Sequence, residues 1–193
     1  MAFRRGFKSQ CERRSVEIRK DLGLRQDQPL SASTLAEHIQ VTVWSTTQVE
    51  GLPPEDLAIL NSKDDDSWSA FTMRLGTNHL IVYKDGVSAA RINSVVMHEI
   101  AHITLGHELA DACILDDGSL VPSNFSQDQE DEANWLAGAL LLPRPALITI
   151  RQKRFSNDEA CRRYMVSNDM LEWRIRMTGI DYQLGRKVRR RAG

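Results

Sequence analysis

The segment VMHEIAHITL, residues 96–105, contains two histidines four positions apart and a glutamate directly after the first. Residues i and i+4 lie on one face of an α-helix, so the imidazoles of His98 and His102 can both reach one metal ion. Glu99 lies one position further on, where its carboxylate can act on a water held by the ion instead of binding the ion. The segment therefore predicts a metal site with two imidazole ligands and a general base.

The neighbouring sequence predicts the helix that this site requires. Apolar residues recur at helical spacing from Ser88 to about Gly106. Before this helix, two runs typical of strands, 68–75 and 79–84, are separated by Gly76-Thr77-Asn78, which is typical of a hairpin turn. The sequence therefore predicts a hairpin followed directly by the metal-binding helix.

A third ligand is needed, because a catalytic zinc ion takes three protein ligands and keeps one position open for water. His107 is a candidate, since some HExxH sites have another histidine downstream. It misses the spacing of those sites by one residue. On a continuing helix its side chain would point about 180° away from His98. We therefore expect His107 at the surface or behind the ligands.

The acidic run Glu130-Asp131-Glu132 opens the next predicted helix and offers carboxylates as ligands. Glu130 lies on the side of the helix that its apolar residues predict to be buried, whereas Glu132 is about 160° away around the axis and suits solvent. Asn134 lies on the same side as Glu130 and is expected to hydrogen-bond a ligand imidazole. An acidic helix start also needs no metal, because it complements the helix dipole. Ligand count and helical phase nevertheless favour Glu130 as the third ligand.

The remaining pattern predicts an α+β fold with a small antiparallel sheet backed by helices. The β-prone run 41–44 adds a strand, and Pro143 and Pro145 stop the helix of the acidic run. Loops are expected at Asp64–Asp66 and Asp111–Gln127. The predicted helices span about residues 9–22, 31–40, 53–61, 88–106, 128–142, 145–153, 157–165 and 168–178.

The composition is that of an ordinary globular protein in a reducing compartment, with 41% hydrophobic and 26% charged residues. No apolar run approaches the length that spans a bilayer, and the basic N-terminus is not followed by the apolar stretch of a secretory signal. The cysteines Cys11, Cys113 and Cys161 are few, odd in number and widely spaced, which argues against a disulfide framework. We therefore expect a cytoplasmic protein without a membrane partner.

Two segments, VMHEIAHITLGH (96–107) and EDEANWLAGALLLP (130–143), resemble the ImmA/IrrE family of zinc metallopeptidases. The second is the more telling, because HExxH occurs in many unrelated peptidases. The segments 164–167 and 171–179 also resemble the helical tail of that family. The resemblance covers roughly residues 30–180.

The resemblance implies a zincin-like fold in which His98, His102 and Glu130 hold Zn²⁺ and Glu99 is the catalytic base. Family members typically cut a helix-turn-helix transcriptional repressor of a mobile element or a stress response. The implied activity is therefore that of a zinc endopeptidase, and the implied partner is such a repressor.

We expect three parts along the chain. Residues 1–143 would form the zinc metallopeptidase domain with N-terminal helices, 144–180 a helical tail packed on it with helix-turn-helix-like spacing, and 181–193 a disordered tail. Residues 143–193 carry 13 Lys or Arg against 5 Asp or Glu, so this end is strongly basic. A basic end can bind nucleic acid or an acidic partner, but solvated helix faces are the commoner explanation.

Two residues of the predicted strand before the metal-binding helix, His79 and Tyr83, are candidates for contacts with the substrate or transition state. Packing is the commoner role for such side chains. The edge of the hairpin could hold a substrate as an added strand.

The alternative function is a non-proteolytic regulatory protein that binds a repressor or DNA and has a structural or vestigial metal site. The helix-turn-helix spacing of residues 156–179 would allow direct binding to DNA. The turn lacks an obvious glycine, however, and Trp173 and Ile175 suit a core. Binding to nucleic acid is therefore the less favoured reading.

Overall fold

Contacts in the computed structural model divide the chain into two compact units. The first contains Met1–Phe3 and Ala32–Asn134, and the second contains Arg4–Ser31 and Trp135–Gly193. The predicted domain boundary at residue 143 differs from this division, which places residues 4–31 together with the C-terminal helices. The structure describes residues 3–51, 53–61, 68–108, 112–114, 120–122 and 126–191.

The helices begin and end within about two residues of their predicted bounds, and the α+β class is confirmed. Two short strands lie within the expected loop 111–127, and the expected loop Asp64–Asp66 lies outside the described residues. In chain order the elements are α1 (Phe7–Asp21), α2 (Ala32–His38), β1 (Thr42–Ser45), a 3-10 turn (Thr46–Gln48), α3 (Pro54–Leu60), β2 (Ala70–Leu75), β3 (Asn78–Tyr83), α4 (Ala89–Leu105), β4 (Ala112–Ile114), β5 (Leu120–Pro122), α5 (Gln127–Leu141), α6 (Arg144–Gln152), α7 (Asn157–Tyr164), α8 (Asn168–Thr178) and α9 (Ile180–Arg191).

The main sheet of the first unit is mixed, which corrects the prediction of a purely antiparallel sheet. Its order is β1-β3-β2, with β2 antiparallel to β3 and β1 parallel to β3. Parallel strands need a long crossover connection, which the chain between β1 and β3 supplies by including α3 and β2. Leu80, Ile81 and Val82 of the central strand are buried on both faces of the sheet. The central strand β3 therefore contributes the buried core of the sheet.

Helix α4 has a start signal and a stop signal at the predicted positions. The Ser88 side chain accepts a hydrogen bond from the backbone N–H of Arg91, and Gly106 adopts a left-handed conformation with φ of 67° at the other end. Between these caps, Met97 and Ile100 are completely buried. The predicted helix is therefore confirmed, and its apolar side is buried in the core.

In the second unit, side chains from distant elements cap the C-terminal end of α5. The last carbonyls of a helix have no partner within the helix, and buried carbonyls need one. Here Arg19 and Arg174, both fully buried, supply guanidinium donors. The capping hydrogen bonds are Ser15 Oγ to the Ala139 carbonyl (2.7 Å), Arg19 Nη2 to the Leu140 carbonyl (2.7 Å) and Arg174 Nε to the Leu142 carbonyl (3.1 Å).

The basic C-terminal segment forms helix α9, where the sequence predicts a disordered tail. Ile180 at its start is buried. Asp181 accepts two hydrogen bonds from Arg151 of α6, at 2.7 and 2.9 Å. These long-range contacts hold the start of the helix, and the composition of the segment does not reveal them.

Among the described residues, no single helix has both the length and the apolar composition needed to cross a membrane. Helices α5 and α6 meet that test only as a pair, and the pair is bent by 46°.

Gly138 in α5 leaves room for the side chains of α8. A Cβ at this position would lie 2.5 Å from Cζ3 of Trp173 and 2.9 Å from Cδ of Arg174. We predict that Gly138→Ala lowers the free energy of unfolding by about 1–3 kcal/mol through overpacking, although alanine is the better helix former by about 1 kcal/mol. Urea unfolding measures the change.

Gly185 in α9 provides the matched control for that variant. A Cβ there meets nothing within 4 Å. Gly185→Ala should therefore be neutral or stabilising by up to about 1 kcal/mol. Equal stabilities of the two variants would contradict the assigned role of Gly138.

Candidate metal centre

Three partly buried side chains of the first unit converge on one point. Nε2 of His98 lies 3.0 Å from Nε2 of His102 and 3.1 Å from Oε2 of Glu130. Nε2 of His102 lies 3.3 Å from the other carboxylate oxygen of Glu130. These are the three residues that the sequence predicts as ligands, and their donor atoms are close enough to hold one metal ion.

The separations fit a tetrahedral ion. Bonds of about 2.0–2.2 Å in a tetrahedron place neighbouring ligand atoms about 3.3–3.6 Å apart. The observed distances of 3.0 to 3.3 Å are slightly shorter, and the two histidines face different oxygens of the Glu130 carboxylate. Two imidazole nitrogens and one carboxylate oxygen would then form one face of the tetrahedron and leave its fourth position open.

The local structure explains why Glu130, and not its acidic neighbours, belongs to this group. Glu130 lies in the first turn of α5, where the helix dipole favours a negative charge. Asp131 instead accepts a hydrogen bond from Gln127 at 3.0 Å, and Glu132 contacts His107. The predicted helical phase thus agrees with the position of Glu130.

The charges of the three groups are coupled. Hydrogen bonds from His102 and His98 hold the pKa of the Glu130 carboxyl far below its usual range. Burial opposes the charged form of His98, but the contact with Glu130 and the charge of Glu99 outweigh it and raise the pKa of His98. The Glu130 carboxylate therefore keeps its negative charge, which suits a cation.

Glu99 lies beside the three candidate ligands without belonging to their group. Its Oε2 accepts a hydrogen bond of 2.6 Å from the hydroxyl of Thr72 on β2. Burial raises the pKa of Glu99, and the hydrogen bond from Thr72 acts in the opposite direction. A carboxylate with a raised pKa next to a metal site is suited to accept and return a proton.

Thr72 is not among the residues predicted for the site. The predicted candidates beside the ligands, His79 and Tyr83, both lie on β3, whereas Thr72 lies on β2. Thr72 pairs with Ile81 in the hairpin. His79 and Tyr83 alternate with Ile81 along β3 and therefore lie on the same face of the sheet as Thr72. The predicted turn Gly76-Thr77-Asn78 is one residue longer than the observed one, and only the observed register places Thr72 on the face that meets α4.

His79 and Tyr83 remain predictions. Among the described residues, neither side chain forms a hydrogen bond to the candidate ligands or to Glu99. Asn134 contributes to the raised pKa of the His98 imidazole, and its role as a hydrogen-bond partner of a metal ligand remains a prediction as well.

His107 lies behind the candidate ligand His102, which is one of the two places expected for it, whereas Glu132 lies elsewhere than predicted. The helix does not continue past Gly106, whose left-handed conformation redirects the chain. The His107 side chain is only 6% exposed, with Nδ1 3.1 Å from Nδ1 of His102 and Nε2 3.4 Å from Oε2 of Glu132. Glu132 therefore contacts His107 and does not face solvent alone. Burial lowers the pKa of His107.

The α+β fold and the His-His-Glu group together define a metallopeptidase-like domain. The family model of the IrrE N-terminal-like domain matches residues 55–176, which is more than half of the chain. The chain therefore belongs to this family, and the resemblance noted in the sequence is confirmed.

One solved structure extends the comparison of the fold. A Mycobacterium tuberculosis transcriptional regulator is similar with a TM-score of 0.50 and 14% sequence identity, over 84% of this chain and 45% of that one. The present chain thus spans less than half the length of that protein, and at this identity the similarity concerns the fold alone. No curated protein matches the sequence.

We predict that Glu130→Gln weakens binding of Zn²⁺, used as the probe ion, by at least about 100-fold, because it removes a charged ligand. The matched control is Asp131→Asn, which neutralises the adjacent carboxylate and should bind as tightly as the wild type. Competition with a chromophoric chelator measures both affinities. Equal affinities of Glu130→Gln and the wild type would remove Glu130 from the ligand set.

Proposed function

We propose that the protein is a zinc-dependent endopeptidase. The observation that carries this proposal is the convergence of His98, His102 and Glu130, with Glu99 directly beside them on α4. Two imidazoles, one carboxylate and an open position are the ligand set of catalytic zinc in peptidases. Membership of the family supports the same activity.

The nature of the donors supports zinc over other common ions. Magnesium and calcium prefer sites made entirely of oxygen ligands, six or more in number. Imidazole nitrogen with one carboxylate in tetrahedral arrangement suits zinc. When bound, zinc would supply Lewis-acid polarisation of the scissile carbonyl and of the attacking water.

Glu99 performs the proton transfers in the proposed reaction. Its carboxylate accepts a proton from the water as the water oxygen bonds to the carbonyl carbon of the substrate. The same group then returns the proton to the nitrogen of the leaving amine as the C–N bond breaks. The hydroxyl of Thr72, 2.6 Å from Oε2, holds the carboxylate in one orientation during both steps.

The substrate is proposed to bind in extended form along β2. This strand is at an edge of the sheet in the order β1-β3-β2, and its Thr72 contacts Glu99. A peptide added to this edge would therefore pass the base while its backbone pairs with the sheet. The target that the family resemblance implies is a helix-turn-helix repressor.

A cytoplasmic reaction agrees with such a target and with the state of the described cysteines. Among the described residues, Cys11 and Cys161 are not joined in disulfides, and cysteines in a reducing compartment stay in that state.

The structure offers little support for direct DNA binding by α7 and α8. The helices do have helix-turn-helix spacing, and Met165 takes a left-handed conformation in the turn, with φ of 49°. Their exposed residues, however, include four carboxylates that would repel phosphates, against the three guanidinium groups of Arg162, Arg163 and Arg176. The exposed acidic residues of these two helices are Asp158, Glu159, Asp169 and Glu172.

We predict that Glu99→Gln abolishes cleavage while zinc remains bound, because the amide cannot accept the proton of the water. The assay incubates the zinc-loaded protein with the repressor encoded by the neighbouring gene and follows cleavage by gel and mass spectrometry. A chelator should stop the reaction, and added zinc should restore it. Cleavage by Glu99→Gln at the wild-type rate would exclude this mechanism.

We predict that Thr72→Val lowers kcat about tenfold or more, because Glu99 loses a hydrogen bond to its charged form. Thr72→Ser keeps the hydroxyl and should retain most of the activity. Zinc content is measured in parallel and should be unchanged in both variants. A serine variant as impaired as the valine variant would indicate a packing role for Thr72.

A further inference from the structure

We propose that His107 and Glu132 are positioning residues that hold His102 in the orientation and tautomer required for zinc binding. This inference rests on the zinc site of the proposed function. It concerns the hydrogen-bonded chain His102–His107–Glu132, which lies on the side of His102 away from His98 and Glu130.

The two nitrogens of His102 face different partners. Nε2 lies 3.0 Å from Nε2 of His98 and 3.3 Å from Glu130, so it belongs to the candidate metal site. Nδ1 lies 3.1 Å from Nδ1 of His107. The ring of His102 is therefore held at both nitrogens, and the outer contact comes from a residue that directly follows the end of α4.

Zinc binding would determine which ring nitrogens of His102 and His107 carry a hydrogen. An imidazole that binds a metal through Nε2 carries its hydrogen on Nδ1, so His102 must donate and Nδ1 of His107 must accept. A neutral His107 then carries its hydrogen on Nε2, where the Glu132 carboxylate accepts it at 3.4 Å. One arrangement of hydrogens satisfies both contacts.

Two properties support a positioning role: His107 and Glu132 are largely buried, and Glu132 lies on the same helix as Glu130. The His107 side chain is 6% exposed and that of Glu132 is 24% exposed, so water competes little for the contact between them. Glu132 lies on α5, the helix that also supplies Glu130. Helix α5 therefore contacts His102 directly through Glu130 and indirectly through His107.

The contact between His107 and His102 depends on the turn of the backbone at Gly106. Its left-handed φ of 67° ends α4, and the N–H of His107 then donates to the carbonyl of His102 at 3.1 Å. The rings of His102 and His107 lie 5.0 Å apart, tilted by 73°. Backbone and side chain of His107 are thus both tied to His102.

The test measures the affinity of the full-length protein for Zn²⁺ by competition with a chromophoric chelator. We expect His107→Ala and Glu132→Gln each to weaken zinc binding about 10- to 100-fold, as loss of an outer partner of a ligand does. His107→Gln, whose amide offers both an acceptor and a donor, should recover most of the affinity lost in His107→Ala. Asp131→Asn is the matched control and should bind as the wild type does.

Two further measurements separate positioning from folding. Thermal unfolding of the metal-free variants should match the metal-free wild type within a few degrees, whereas a purely structural role would lower the Tm and leave the affinity unchanged. The double variant His107→Ala/Glu132→Gln should bind zinc no more weakly than His107→Ala, because the two residues act through one contact.

The outcomes distinguish this inference from the proposed function. Wild-type affinity in folded His107→Ala and Glu132→Gln would overturn the inference and leave the zinc site intact. A wild-type protein that binds no zinc would overturn both. Weakened binding in both variants, with recovery by His107→Gln, supports the positioning role.

Discussion

The 3.0 Å separation between the Nε2 atoms of His98 and His102 follows from the period of the α-helix, and the rest of the site is arranged around it. Four residues bring two imidazoles to nearly the same side of α4, while Glu99 is turned about 100° from His98. A third donor must therefore come from another element. The first turn of α5 supplies it, since Glu130 is favoured there by the helix dipole.

Structural features that are determined by a few neighbouring residues could be predicted from the sequence. The caps Ser88 and Gly106 mark the ends of α4, and the apolar phase of α5 selected Glu130 for the candidate metal group, although it wrongly placed Glu132 in solvent. The helices from α1 to α8 were predicted because their start and stop signals are local. The contact between His107 and Nδ1 of His102 was not predicted, because it depends on the left-handed conformation of Gly106.

Features that depend on distant partners could not be predicted in this way. A β-prone run does not reveal its direction, so the parallel pairing of β1 became visible only in the structure. Arg19 and Arg174 look like surface residues in sequence, yet both are fully buried against carbonyls at the end of α5. Burying a guanidinium is costly unless its donors are paired, and the pairing here joins residues more than thirty positions apart.

The two-residue turn at Gly76 and Thr77 affects the environment of Glu99, the proposed base. Because the turn sets the hairpin register, Thr72 lies opposite Ile81 and Met73 lies opposite Leu80. Neighbouring side chains on a strand point to opposite faces, so a slip of one residue would present a thioether to Glu99 in place of a hydroxyl. An insertion in this turn would therefore act like a point mutation beside the HExxH motif, although it changes no residue near α4.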